Sequence, residues 1–435
     1  MAVLPFDSAV YGPLFTDGDV AAVFSDASEL DALIEVERAL ARAQARLGVI
    51  PEAAGAEIDR ALAGAEIDPA SLADGARSAG VVVPGLVKQL RKIAGGEAAQ
   101  YVHWGATSQD IADTALVIRL ERATGLLGAR LDKVIARLAD LADRHRATVM
   151  AARTRTQIAV PTTFGLKAAT WLAPLLRRRA QLHELQGRLL VVQFGGAGGN
   201  LSALGADGVR VMEALAVELG LKAGPLPWHT GRDGLMELAA WLASLTASLG
   251  KIGTDVALLA RNEIVELRPG SGGGSSTMPQ KANPVSAELL VALARYTAGT
   301  LGTFAQSGIH AEERDGAAWS LEWATLPSMV TATAGALAHA EALLAGLVVE
   351  QAAMADRAGG GALAEAASFA LAEHMSREQA QDLVKKAAMS GGDLVEALRG
   401  LCDAPIDWKA LGDPRQHLGA ADAFVDRVLA EVRAR

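Results

Sequence analysis

Apolar residues at Ile111, Ala115, Ile118, Leu127, Leu131, Val134, Leu138 and Leu141 recur at helical intervals, which predicts one long helix from about Gln109 to Arg146. Four further stretches carry the same pattern: Thr162 to about Val192 with a bend at Pro174, Leu235 to Leu267, Val285 to Ser307, and Trp319 to Val349 with a bend at Pro327. Five such helices are too long and too apolar to stand alone, so they should bundle, and their residual apolar faces predict assembly of several chains. Residues 1–107 read instead as short helices between Gly and Pro. The first runs from near Ser28 to Leu47, is closed by Gly48 and Pro51, and is expected to turn its Glu and Arg residues to solvent. From Glu350 the chain again reads as short helices, with a break at Gly359 to Gly361, a Ser376 to Gln379 capping box and stops at Gly391-Gly392 and Asp413-Pro414. The expected organisation is therefore 1–107, a long-helix segment 108–350 containing a distinctive loop at 270–288, and 351–435.

Composition agrees with an all-α chain. Of 435 residues 51% are hydrophobic but only 4% aromatic, so Ala, Leu and Val carry the packing and suit closely spaced helices better than a sheet. The formal charge of −9 argues against nucleic acid and requires a local basic pocket if the ligand is anionic. Cys402 is the single cysteine, so neither a disulfide framework nor a cysteine metal site is expected. No apolar run reads as long enough for a membrane span, and the opening MAVLPFDSAVYG lacks the blocks of a signal peptide, so a cytoplasmic location is the expectation.

The chemistry concentrates in GSGGGSSTMPQKANPVSAE, Gly270 to Glu288. Its glycines leave the backbone free to swing, Pro279 stiffens it, and Lys281 and Asn283 offer a point charge and an amide to a carboxylate or enolate oxygen. Pro284 fits the first turn of a following helix. A phosphate loop would place Lys and Ser/Thr directly after the glycines, and this order does not.

SSTMPQKANP with Glu288 resembles the signature of the fumarase/aspartase superfamily. The resemblance implies that Ser275 handles a proton beside a substrate carboxylate on a closing loop, that Lys281 and Asn283 hold the resulting aci-carboxylate, and that Ser276 and Met278 line the same pocket. HWGATSQD resembles the superfamily's first block, in which Thr107 and Ser108 sit at the N-terminus of the longest helix, whose free amides suit a carboxylate; His103 is either a further ligand or a packed core residue. ARTRTQIAVPTTFG resembles the second block through Thr154, Gln157, Ala159 and Pro161, but Arg155 stands where a histidine is usual. A guanidinium cannot serve as a general base; it can bind a carboxylate or pair with Glu288. Arg232, in PWHTGRDG, is either a substrate ligand or a salt-bridge partner.

The departure at Arg155 favours the cycloisomerase branch; the resemblance itself implies the all-α fumarase/aspartase fold, a central bundle of five long helices per chain forming a tetrameric core flanked by two smaller helical domains, and sites shared between subunits. Helices of some 38 residues span roughly 57 Å, too far for the three blocks to meet easily in one chain. The implied activity is lactonisation of a small polycarboxylate, a carboxylated muconate, with no metal or cofactor. A fumarate-releasing lyase and a catalytically inactive helical binding protein are the alternatives.

Overall fold

The computed structural model describes residues 4–270, 273–274 and 281–434. By packing, the chain divides into two compact units, each assembled from three stretches: Met1–Arg130, Arg178–Ala247 and Leu293–Ala336 in the first, and Leu131–Arg177, Ser248–Ala292 and Leu337–Arg435 in the second. Five long helices contribute residues to both units: α4 (Ser108–Arg144), α5 (Phe164–Leu189), α7 (Asp233–Leu259), α8 (Val285–Phe304) and α9 (Gly316–Ala345). The other labelled helices are α1 (Asp26–Arg46), α2 (Glu52–Leu62), α3 (Val83–Ala94), α6 (Gly208–Leu219), α10 (Arg377–Met389) and α11 (Ala421–Arg433). Each long helix begins and ends within a few residues of the bounds its apolar period predicts, except that α7 stops at Leu259, eight residues short. There the chain turns, Val265 takes a left-handed φ of 50°, and a short strand follows. By length and composition α7 could cross a membrane, contrary to the sequence expectation; half of its most apolar stretch is buried in the fold, as in a soluble core helix.

In the first unit α1, α2, α3, α6 and the start of α4 share one core, with Leu33, Leu40, Ile58, Leu86, Leu90, Ile111, Phe194 and Leu215 all out of water. Burying each such side chain contributes about 1.5 to 3 kcal/mol before chain entropy is counted. Helices α1 and α2 approach so closely at Gly55 that an added Cβ would lie 2.4 Å from that of Ala45. The charged residues of α1 do not simply face solvent. Arg42 bridges Glu35 (2.8 Å), Asp59 (2.7 Å) and Glu218 (3.0 Å), tying α1 to α2 and α6. Burial works against this guanidinium, but the three carboxylates outweigh it and raise its pKa.

The second unit contains the fold's departure from helix, an antiparallel hairpin of β1 (Val149–Thr154) and β2 (Gln157–Thr163), which helical periodicity could not reveal. Two-residue ribbons follow: β3 (Leu267–Arg268) pairs with β6 (Val348–Val349), and β4 (Gly273–Gly274) with β5 (Ala282–Asn283). The C-terminal helices enclose their own small core around Leu371, Val384 and Leu398. Ser376 and Gln379 form the expected capping box at the start of α10, and Arg146 holds α11 through Asp422 (2.9 Å) and Asp426 (2.8 Å).

Candidate active site

In the first unit the candidate residues of the first block are arranged around a carboxylate. Asp110, the third residue of α4, is fully buried and reaches back to the backbone N–H of Thr107 (3.0 Å). The backbone N–H groups of Gly195 (2.8 Å) and Gly196 (2.9 Å) and the amide of Gln193 (3.2 Å) also donate to it. His229 Nε2 lies 2.8 Å from the same carboxylate. A buried anion is tolerated when its lone pairs are filled and a helix N-terminus faces it, and both conditions hold here. The hub pins the glycine segment after α5 against the start of α4. Gly195 has no room for a side chain there, since a Cβ would sit 2.7 Å from that of Pro227, and Gly196 has a φ of 68°. Thr107 and Ser108 are half-buried at this end of α4, and among the described residues neither hydroxyl has a hydrogen-bond partner.

Of the two expectations for Arg232, the structure shows the salt-bridge partner. It is 2% exposed and forks between Asp113 (2.7 Å) and Glu322, with its guanidinium 4.8 Å from the Trp228 ring centre. Burial disfavours its charge, but Asp113 and Glu322 more than offset this and raise its pKa. Trp319 Nε1 completes Asp113 at 3.1 Å, and His310 Nε2 stands 3.4 Å from Glu322. The partners of Arg232 are 119 and 90 residues away in the chain, not the adjacent Asp233.

A further cation at the N-terminal turn of α4 is Arg314, which sequence reasoning overlooked. Its Nε donates to Gln109 Oε1 (2.9 Å) and one terminal nitrogen to the carbonyl of Ala197 (3.2 Å), both neutral oxygens. Among the described residues it has no carboxylate partner. Asp315 fixes the backbone at this point: it accepts from Ala311, Ala317 and Ala318 and so starts α9. Those backbone donors hold its carboxyl below the usual range. A usable signal was present in the sequence, since Arg314 precedes an N-cap aspartate in a polar connection.

His103, with a left-handed φ of 65°, places Nδ1 2.6 Å from Glu37, a residue of α1 that is 2% exposed. Burial alone would lower the imidazole pKa; the charge of Glu37, its hydrogen bond and the nearby Asp110 reverse this and raise it. His103 is thus packed and paired.

In the second unit Arg155 and Thr156 form the two-residue tip of the β1–β2 hairpin, with φ of 50° and 68°. Thr154, Arg155 and Gln157 are all exposed there. Lys281 is exposed, Asn283 is half-buried in β5, and Glu288 is exposed in the first turn of α8. Ser275, Ser276 and Met278 lie outside the described residues. The expected Arg155–Glu288 ion pair is absent among the described residues: the turn holds Arg155 at an exposed tip, and Glu288 sits on a solvent-facing turn of helix. Gly270 also has a different task from the one expected of it. Rather than freeing the loop, it lets the chain lie against Gly346, whose carbonyl oxygen would be 2.0 Å from an added Cβ. Among the described residues no group of three or more His, Cys, Asp or Glu side chains could hold a metal ion.

The profile of a lyase family matches residues 17–299. The chain belongs to this lyase family. It is 43% identical to the 3-carboxy-cis,cis-muconate cycloisomerase of Pseudomonas aeruginosa, over 98% of this chain and 96% of that protein. Among solved structures of the family, the 3-carboxy-cis,cis-muconate lactonizing enzyme of Pseudomonas putida superposes with a TM-score of 0.92 at 37% identity, covering 98% of this chain and 99% of that one. A fumarate lyase from Mesorhizobium sp. BNC1 gives 0.90 at 38% identity, with 96% and 98% covered. The family member described here therefore has the fumarase/aspartase fold.

Proposed function

We propose that this lyase-family chain is a cycloisomerase that converts 3-carboxy-cis,cis-muconate to carboxymuconolactone, a step in protocatechuate breakdown. Support from likeness is its identity to named cycloisomerases over nearly the whole chain. The observation that supports the reading is Arg314, which among the described residues is held by the neutral oxygens of Gln109, in the first turn of α4, and Ala197, an arrangement that suits a polycarboxylate at that helix end. One substrate carboxylate oxygen forms the new C–O bond. The π electrons pass to the neighbouring carboxylate as an aci-carboxylate, and a proton is delivered to the carbon between, so atoms balance without a leaving group. In this reading Lys281 and Asn283 stabilise the developing charge and Ser275 carries the proton. Thr107, Ser108 and Arg314 hold a spectator carboxylate, while Thr154, Arg155 and Gln157 supply further contacts from their exposed hairpin.

Exposed ligands make poor sites unless something covers them. We therefore read the working form as a cytoplasmic homotetramer in which the three sequence segments 1–107, 108–350 and 351–435 serve as domains and different subunits complete each site. Incubating the protein with carboxymuconate, argininosuccinate and adenylosuccinate, and following each absorbance, tests the activity. Loss of the carboxymuconate chromophore alone supports the cycloisomerase. Fumarate release from a succinyl-amine supports the second reading, which the likeness to a fumarate lyase favours. Mixing Thr154→Ala with Ser275→Ala chains after mild dissociation should restore part of the activity; mixtures that stay inactive would place each site within one chain.

A further inference from the structure

The second unit holds two of the functional blocks, the β1–β2 hairpin and the loop that begins at Gly270, and one ion pair joins their foundations. Arg153, one residue before Thr154, forks onto Glu266, one residue before β3, with contacts of 2.9 and 2.5 Å. Glu266 is fully buried and Arg153 mostly so. Neither residue presents itself to a ligand, yet the backbone is bent at both ends to bring them together. On the hairpin side the pairing register slips between Ala151 and Arg153, a bulge that re-aims the arginine, and the carbonyl of Ala151 accepts from the same guanidinium at 3.3 Å.

On the loop side Val265 adopts a left-handed φ of 50°, a conformation that β-branched residues avoid. It persists because its neighbours fix it: Val265 N–H donates to Arg261 O (2.8 Å), Glu266 N–H to Leu259 O (3.0 Å) and Glu350 N–H to Glu266 O (3.0 Å). Strain of this kind survives where the surroundings over-determine it, and it concentrates where geometry matters to function. Three residues beyond β3's first residue, Gly270 is seated on Gly346, which packs the root of the loop against the end of α9.

We infer that Arg153 and Glu266 are a positioning pair that fixes the hairpin carrying Thr154, Arg155 and Gln157 to the root of the loop carrying Lys281 and Asn283. A buried ion pair is weak evidence for stability in itself, which makes placement the better account of this one. The turnover part of the test rests on the proposed activity; the exchange part does not. Glu266→Gln keeps shape and burial but removes the charge, and Arg153→Lys keeps the charge but removes the fork. Both should lower kcat ten- to a hundredfold with KM changed less than threefold. The Arg153→Lys, Glu266→Gln double variant should lose little more than the worse single variant. In hydrogen exchange of the ligand-free protein, amides of residues 149–163 and 267–270 should lose protection together in Glu266→Gln, and those of α10 should not change.

Near-normal kcat in both single variants, or additive losses, would overturn the inference. So would loss of protection confined to one of the two segments. If the wild-type protein fails to turn over carboxymuconate, the proposed activity falls and the exchange result alone decides the pair. If Glu266→Gln does not fold, Arg153→Lys is judged by the same exchange and kinetic criteria.

Discussion

His229 Nε2 lies 2.8 Å from Asp110 Oδ1 with both side chains shut away from water, and the same carboxylate also collects the backbone N–H groups of Gly195 and Gly196. Replacing one acceptor oxygen with an amide N–H₂ would aim a donor at donors. Asp110→Asn should therefore destabilise the first unit by about 1 to 3 kcal/mol and release the glycine segment. Urea unfolding monitored by tryptophan fluorescence measures this, and an unchanged midpoint would remove Asp110 from its role as hub.

Arg232 should behave as a structural cation. Arg232→Met leaves Asp113 and Glu322 buried without their charge partner, so a loss of about 3 to 5 kcal/mol is expected. A stable variant whose only defect is a raised KM would restore Arg232 to the substrate pocket.

Arg314→Gln should do the reverse. Its fixed contacts are to neutral oxygens, so the fold should keep its melting temperature within about 2 °C, while loss of one charge-assisted contact to substrate, about 1.5 to 3 kcal/mol, should lower kcat/KM roughly ten- to a hundredfold. Steady-state kinetics beside a thermal melt checks both halves.

The His103–Glu37 pair predicts a pH dependence of stability. Folding raises the imidazole pKa, so the protonated form is favoured in the native state. That stabilisation is complete below the unfolded pKa of about 6.5 and is lost as pH rises through the higher folded value. The difference in melting temperature between wild type and His103→Gln should therefore shrink between pH 6 and the alkaline side. A difference that grows with pH would contradict the pair.

How much of this was legible follows the reach of each signal. Helical period marked all five long helices because it is written in neighbours three and four residues apart. The hairpin escaped because Arg153, Thr154 and Gln157 lie in a short polar stretch with no clean alternation, and its turn lacks the usual Asn-Gly. The turn that follows the early stop of α7 passes through Val265, whose side chain gives no hint of a left-handed backbone. Candidate residues such as Thr107, Ser108 and Lys281 were readable from their own blocks, since each stands in a short run of distinctive neighbours. The contacts of Asp110 with Gly195, of Arg314 with Gln109 and of Arg232 with Glu322 were not legible because the partners lie 85 to 205 residues away in the chain.

The turn at Arg155 and Thr156 puts two residues with side chains where glycine or asparagine would rest more easily. An engineer seeking robustness would change Thr156→Gly and expect a gain of about 1 kcal/mol in hairpin stability, since a left-handed position costs a β-branched residue at least that much. Changing Arg155→Asn would add to the gain and discard the guanidinium that the proposed reading uses for a carboxylate contact. If Arg155 serves the proposed reaction, the tip of the hairpin is a place where durability and chemistry pull in opposite directions, and a thermostable variant that keeps this arginine has to find its extra stability elsewhere in the chain.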